Sequence, residues 1–423
     1  MKLELRYGSG GVKVELPDER VLFTIEPASA AGVRDQGDEI KRALVNPIGS
    51  RPLRELVRIG TRVAIAVDDL TRLTPCRSIL PVVIDELTGA GVSERDIRII
   101  VALGTHRPMS EEEMSERYGK QVMGRIEVIN HDARNASGIV DLGKTTSGTP
   151  VLVNKEFYEA DVKIAIGNVI PHMYAGWSGG AKAVQPGVSS EATTYSTHIT
   201  AARIPLEEIV GKVENPVRQE IERVAEKVGL NFIVNTVLND RGELVKAFAG
   251  DMIHAHREAV RFAENIFCSR IPSAADIVLA SSYPADIDYW QAIKGAVAAS
   301  LAVKDGGVII LLTPCKEGIS PTHPEAERYG SFQLRDIESL VVTGVIHDLA
   351  SAAFAMVQAR IRAKAKLVFV SEGLSQQKCR SLGAEKAESI QEAIERAEMA
   401  LGGNARYGVL KCSELAPVLE APS

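Results

Sequence analysis

No apolar run in this chain approaches the roughly 18–20 residues that a membrane-crossing helix needs, so a helical membrane anchor is not expected. Neither sign of charge dominates, since 49 Lys and Arg against 55 Asp and Glu leave a formal net charge of −6. That balance gives no electrostatic reason to bind nucleic acid or an anionic membrane. Cysteine is scarce. Cys76, Cys268, Cys315, Cys379 and Cys412 are scattered, odd in number and never spaced CxxC, which argues against a disulfide framework or zinc ribbon and suits reduced thiols in a cytoplasm. The opening MKLELRYGSGGVKVELP alternates like a hairpin and lacks the apolar core of a signal peptide. Also missing are a G-x-x-x-x-G-K-[ST] phosphate loop and a G-x-G-x-x-G opening a helix, so a standard dinucleotide fold is not indicated.

What is present is an alternation of strands and helices. Arg62–Val67, Ile97–Leu103, Arg125–Asn130 and Val162–Ile166 read as strands, with helices over Arg34–Leu44, Ser78–Ala90 and from Ser110 onward. A helical stretch follows over Pro205–Val228, then a strand Asn231–Leu238 and a helix reaching Phe267. Near Ile271 the pattern restarts with strands Asp276–Ala280, Gly307–Leu312 and Lys366–Val370 and helices Tyr289–Val303, Ile346–Arg362 and Ser389–Ala400. This predicts an α/β protein with parallel-type sheets in two domains. Residues 1–270 form the larger N-terminal domain, its first 25 residues as short antiparallel strands. Residues 271–405 form a smaller α/β domain, and 406–423 a tail returning to the N-terminal domain. The site is expected in the cleft between the two.

Three polar clusters fall at the carboxyl ends of strands, where ligands bind in such sheets. The first is Asp68-Asp69-x-Thr71-Arg72, compatible with a Mg²⁺ site, a phosphate or ribose clamp, or a turn with a helix cap. The second is Gly104-Thr105-His106. The third is GNVIPHMYAGWSGGAKAVQPGVSSEATTYSTH, Gly167 to His198, a loop-rich stretch carrying His172, Lys182 and His198. Its Gly176, Gly179, Gly180 and Gly187 read as positions where a missing side chain lets a ligand approach the backbone. Gly176-Trp177-Ser178-Gly179-Gly180 matches the G-x-S-x-G elbow of serine hydrolases, but Ser178 stands too far from its strand for that turn. His131, His323 and His347 have no supporting cluster and read as structural. His254 and His256, two apart on a helix, point to different faces and cannot chelate one ion. The second domain offers Gln291 and Lys294 in YWQAIKG, near the start of a helix. Trp290 and Tyr174 fit either a pocket wall or plain packing.

Taken together, DDLTRLTP, GTHRP, GNVIPHMYAGWSGGAKAVQPGVSS, THI and YWQAIKG resemble the lactate racemase family over most of the chain. One departure is Leu73, where the family usually has proline. The resemblance implies a nickel-pincer nucleotide, a pyridinium mononucleotide with two sulfur-bearing arms, tethered through Lys182. It implies His198 as the protein ligand to nickel and His106 and His172 as the acid/base pair. Arg72, Gln291 and Lys294 are implied to bind substrate, and Asp69, Thr71, Gly104, Thr105, Gly179 and Gly180 to contact the cofactor. The implied activity is racemisation or epimerisation of a 2-hydroxyacid by reversible hydride transfer through a 2-keto acid. Substrates in the family range over lactate, malate, longer or aromatic hydroxyacids and sugar acids. Separate cofactor-synthesis enzymes are implied as maturation partners, and protein made without them is expected to be apo. A hydrolase using Ser178 and a non-catalytic sugar-acid or nucleotide-binding protein are the alternatives. Adduct mass on Lys182 and nickel content separate the first reading from both.

Overall fold

The computed structural model describes residues 1–420 and builds them around two six-stranded sheets. The first runs in space as Leu244–Gly250, Phe232–Leu238, Val162–Asn168, Val63–Val67, Ile97–Val101 and Glu127–Asn130. All neighbours are parallel except Leu244–Gly250, an antiparallel edge on Phe232–Leu238. Every residue of Val63–Val67 and Val162–Asn168 is buried, as a strand covered on both faces requires. Val63, Ile65 and Val67 pack with Ile79, Leu80 and Val83 of the Cys76–Gly89 helix. Ala64 and Ala66 face a different core that includes Phe157 and Val184. The two-residue alternation of a strand is thereby expressed as two cores.

From Val63–Val67 the chain steps outward to Ile97–Val101 and Glu127–Asn130, then returns on the other side as Val162–Asn168. Such a reversal opens a crevice at the carboxyl ends. The segments after Val67, Val101 and Asn168 all empty into it.

The second sheet runs Glu385–Ala387, Ala365–Val370, Val303–Leu312, Ala275–Ser281, Tyr407–Leu410 and Val21–Ile25, all parallel. Here the structure differs from the domain division expected above. Lys2–Tyr7 and Gly10–Glu15 pair antiparallel as expected, but Val21–Ile25 is a parallel edge of the second sheet rather than part of an N-terminal unit spanning 1–270. The hairpin's apolar face explains this, because Leu5, Val14 and Leu16 pack on Ile277, Leu279 and Ile310. The 406–423 tail also divides differently. Tyr407–Leu410 joins the second sheet, and only Ala416–Leu419 reaches back, pairing with Cys268–Ile271. Residues 421–423 of that expectation lie outside the described residues.

Candidate active site

The carboxyl ends of the two sheets face one cleft. His106, His172, Lys182 and His198 all line it, together with Asp69 and Arg72 from the first sheet and Gln291 and Lys294 from the second. Gly104, Thr105, Gly179 and Gly180 border it as well. Thr71 does not. It lines a smaller adjoining cleft, and its amide and hydroxyl are spent on Asp69 Oδ1 at 3.0 and 2.6 Å. Of the three readings left open for the DDLTR segment, this internal bonding is that of a turn.

Asp69 is buried, 4% exposed. Burial pushes its carboxyl upward, but the His106 ring, Arg72 and the Thr71 hydroxyl outweigh that and hold it well below the usual carboxylate range. A carboxylate there fixes the neighbouring ring. His106 Nδ1 lies 2.6 Å from Asp69 Oδ2 and must donate to it, which leaves Nε2 with a lone pair. Gln291 meets that lone pair from the other domain, its Nε2 donating at 3.1 Å, while its Oε1 accepts from Lys294 Nζ at 2.6 Å. Gln291 and Lys294 share a face of the Tyr289–Ser300 helix at i,i+3 spacing. Asp288 caps that helix by accepting from the Gln291 amide at 2.8 Å.

His172 is set the opposite way. The Tyr174 amide donates to its Nδ1 at 3.1 Å, so the ring proton belongs on Nε2. Burial, and then the charges of Lys182, Arg72 and Lys294, push its pKa well below normal and keep it neutral. One imidazole offers a lone pair at Nε2 and the other a proton at Nε2.

Lys182 sits on the short helical turn Gly180–Ala183. Burial and Arg72 bring its amine down to about 7, so near neutrality much of it is the nucleophilic free base. His198 lies on the Glu191–Arg203 helix, which Ser190 caps. Burial and Lys182 push it down to about 3, and its Nδ1 has no hydrogen-bond partner. Tyr174 packs on its ring at 4.5 Å between centroids. The Tyr174 hydroxyl and Thr194 Oγ1, both on the same cleft, are likewise buried without partners. Orphaned polar atoms gathered on one wall are what a bound polar group would satisfy.

The glycines of the loop turn out to serve the loop itself. Gly179 and Gly180 have φ of +75° and +59°, and added Cβ atoms would stand 2.9 Å from Asn235 Oδ1 and 3.0 Å from His256 Cδ2. A Cβ at Gly176 would strike the Lys212 carbonyl, and one at Gly187 the Ala183 carbonyl. What crowds these positions is protein, so close packing by itself already demands glycine. Arg218, fully buried, braces the same loop by donating to the carbonyls of Trp177 and of Gly179 (3.3 Å).

Ser178 is not a nucleophile. Its hydroxyl donates to Asn168 O at 2.7 Å and accepts from Ile170 N at 2.9 Å. His256 meets only its carbonyl, at 2.8 Å. The hydrolase alternative falls with that geometry. His131 is buried and structural, bonded to Ser189 O and to the Asn154 side chain. His254 is exposed and His256 fully buried, on different helix faces as expected.

Several residues on or near the site escaped the sequence reading. Asn235 accepts from the Gly180 amide at 2.9 Å. Glu414 is a half-buried carboxyl that burial pushes up to about 7 against the pull of Lys294 and Arg72. His323, set aside above as structural, reaches Thr105 across the seam. Asn235 and Glu414 lie outside any motif, and only their position beyond a strand's interior or carboxyl end could have flagged them.

Comparison with known proteins decides the family. The lactate racemase N-terminal domain matches residues 7–208, and the lactate racemase C-terminal domain matches 271–412. The chain belongs to the lactate racemase family. It is 29% identical to the lactate racemase of Thermoanaerobacterium thermosaccharolyticum over 418 residues, covering 96% of this chain and 97% of that one. It is also 29% identical to the lactate racemase of Lactiplantibacillus plantarum over 419 residues, with the same coverage. The solved lactate racemase apoprotein from T. thermosaccharolyticum superposes with a TM-score of 0.89 over the whole of both chains. A Thermotoga maritima crystal structure shares the fold at 18% identity and a TM-score of 0.73, over 91% of this chain and 98% of that one.

Among the described residues no cluster of three or more His, Cys, Asp or Glu could by itself hold a metal ion. The partnerless His198 nitrogen and the Lys182 amine are a donor set that fits an entering metal-bearing group.

Proposed function

We propose that the chain is a racemase or epimerase of a 2-hydroxyacid that carries a nickel-pincer nucleotide. The single observation that carries the reading is the pair of imidazoles on one cleft with opposite tautomers, His106 fixed by Asp69 and His172 by the Tyr174 amide. Lys182 is the tether and His198 the protein ligand to nickel. Held by Lys182 and His198, the group would supply a reversible hydride acceptor for the substrate's Cα hydrogen.

The chain's own residues do the rest. Arg72 is 9% exposed, bonds only oxygens of Thr71 and pairs with no carboxylate among the described residues. A buried guanidinium in that state favours an entering carboxylate. Burial, Arg72 and Lys182 push the Lys294 pKa well down, and an arriving anion favours its charged form. His106 Nε2 takes the hydroxyl proton, displacing the Gln291 amide, and Asp69 stabilises the imidazolium so formed. For the opposite enantiomer His172 is the base, and the Tyr174 amide bond at its Nδ1 must then give way so that the ring can take up a second proton. The substrate's negative charge offsets Lys182, Arg72 and Lys294, raising the His172 pKa toward the range where it can hold and return a proton. Gln291, Trp290 and Lys294 close the second-domain side of the cleft and exclude water from the keto acid.

Either His106→Ala or His172→Ala is expected to abolish racemisation in both directions while nickel stays bound. Near-normal turnover by one of them in an isotope-exchange assay rejects its role. Lys182→Ala is expected to lose the adduct by intact mass, and an adduct retained on that variant rejects the tether.

A further inference from the structure

His323 is fully buried, 0% exposed, on the loop that follows the Val303–Leu312 strand of the second sheet. Its Nδ1 lies 2.8 Å from Asp348 Oδ2, and its Nε2 lies 3.0 Å from Thr105 Oγ1 across the domain seam. Trp290, a wall of the cleft, stacks on its ring with centroids 4.2 Å apart and planes at 14°. Asp348 is itself held rigidly. As N-cap of the Leu349–Lys364 helix, its Oδ1 accepts from the Ala350 and Ser351 amides at 3.1 and 3.2 Å, and its Oδ2 accepts from Ser351 Oγ at 2.6 Å. Burial opposes its charge, but the bond from His323 holds it down to about 2.

The consequence is a chain of fixed proton positions. An ionised Asp348 can only accept, so His323 Nδ1 must donate to it. In the neutral ring Nε2 is then an acceptor, and the one hydrogen available between it and Thr105 is the threonine's own. Thr105 Oγ1 gives that hydrogen to His323 and turns only lone pairs toward the cleft. We infer that His323 is a positioning residue that makes Thr105 an acceptor-only group, so that the bound ligand must place a hydroxyl or N–H on it rather than a phosphate or carboxylate oxygen. Thr105 immediately precedes His106, so the same bond ties the His106 loop to the domain that supplies Gln291. The consequence for catalysis rests on the racemase reading above; the proton arrangement does not.

The test is built on Asp348→Asn. Asparagine caps helices as well as aspartate does, and the Ala350 and Ser351 amides keep its oxygen at the Oδ1 position. Its NH2 then faces His323 and donates to Nδ1, which forces the ring proton to Nε2 and onto Thr105. Nitrogen NMR of the full chain labelled in histidine, with His323→Gln assigning the resonance among the eight histidines, reads the tautomer without cofactor or substrate. The expected result is Nδ1–H in the native protein and Nε2–H in Asp348→Asn, with the thermal midpoint unchanged within a few degrees. In holoenzyme, kcat/KM for the hydroxyacid is expected to fall about tenfold in Asp348→Asn. A native ring protonated on Nε2, or on both nitrogens, overturns the assignment. A flipped ring with native kcat/KM overturns the positioning role. Absence of racemase activity in the native holoenzyme defeats the functional reading while leaving the NMR result to stand by itself.

Discussion

Asp69 shows how one carboxylate fixes the chemistry of its neighbour. Its Oδ1 is occupied by Thr71 and its Oδ2 by His106. In Asp69→Asn the Thr71 donors hold the amide oxygen, so the NH2 group faces His106 and drives its proton to Nε2, removing the base. Racemisation is expected to drop on the order of 10²–10⁴-fold in both directions, the scale of comparable tautomer errors; turnover within a few-fold of native contradicts this. Lys182 gives a second residue-scale expectation. With its amine brought down to about 7, the fraction free base rises through neutrality and saturates about three units earlier than for an ordinary lysine near 10.4. Acylation of the apo protein by an amine-selective reagent, followed by peptide mass, is expected to plateau near pH 8 at Lys182 and still be climbing at surface lysines. A climb at Lys182 parallel to the surface residues contradicts the assignment. At this scale the sequence was legible wherever a reactive side chain directly followed a strand, as with His106. It was not legible for His323, whose partner Thr105 is 218 positions away.

Among the elements, the Tyr289–Ser300 helix carries the second domain's share of the cleft. Removing its cap in Asp288→Ala is expected to cost about 1 kcal/mol and to release the Gln291 amide from its 2.8 Å bond. Because Gln291 and Lys294 then lose their fixed start, KM is expected to rise more than kcat falls in steady-state kinetics; an effect on Tm alone, with kinetics unchanged, contradicts that link. Gly180→Ala tests the loop. Its φ of +59° and the His256 ring at 3.0 Å combine backbone strain and a clash, expected to cost about 1–3 kcal/mol in denaturant unfolding. The central strands were legible because burial on both faces writes them as continuous apolar runs. Leu244–Gly250 was not, because LVKAFAG leads into the amphipathic His254–Phe267 helix and its apolar spacing fits a helix about as well as an edge strand. Gly179 and Gly180 border the cleft, but protein neighbours already demand glycine at both. A glycine's necessity is visible in sequence, but not whether protein or ligand crowds it.

Across the whole molecule, three bonds tie the first sheet's loops to the second domain: His106 to Gln291, Thr105 to His323, and Arg107 to Glu317 at 3.3 Å. The cleft exists only with both halves in place. The second half is also more dependent on distant sequence than the restart near Ile271 suggested, since residues 1–25 supply its edge strand and cover the apolar face of Ile277, Leu279 and Ile310. Local pattern cannot show that a first strand pairs with one near residue 407, which is why that part of the domain division was not legible. Whether this cleft racemises a 2-hydroxyacid with the Cα hydrogen moving as hydride is decided by one proton NMR measurement. A single enantiomer of a 2-hydroxyacid is incubated in D2O with holoenzyme, and optical purity and Cα hydrogen are followed together. Loss of optical purity with the Cα hydrogen retained is the expected result; deuterium appearing at Cα in step with racemisation would contradict it.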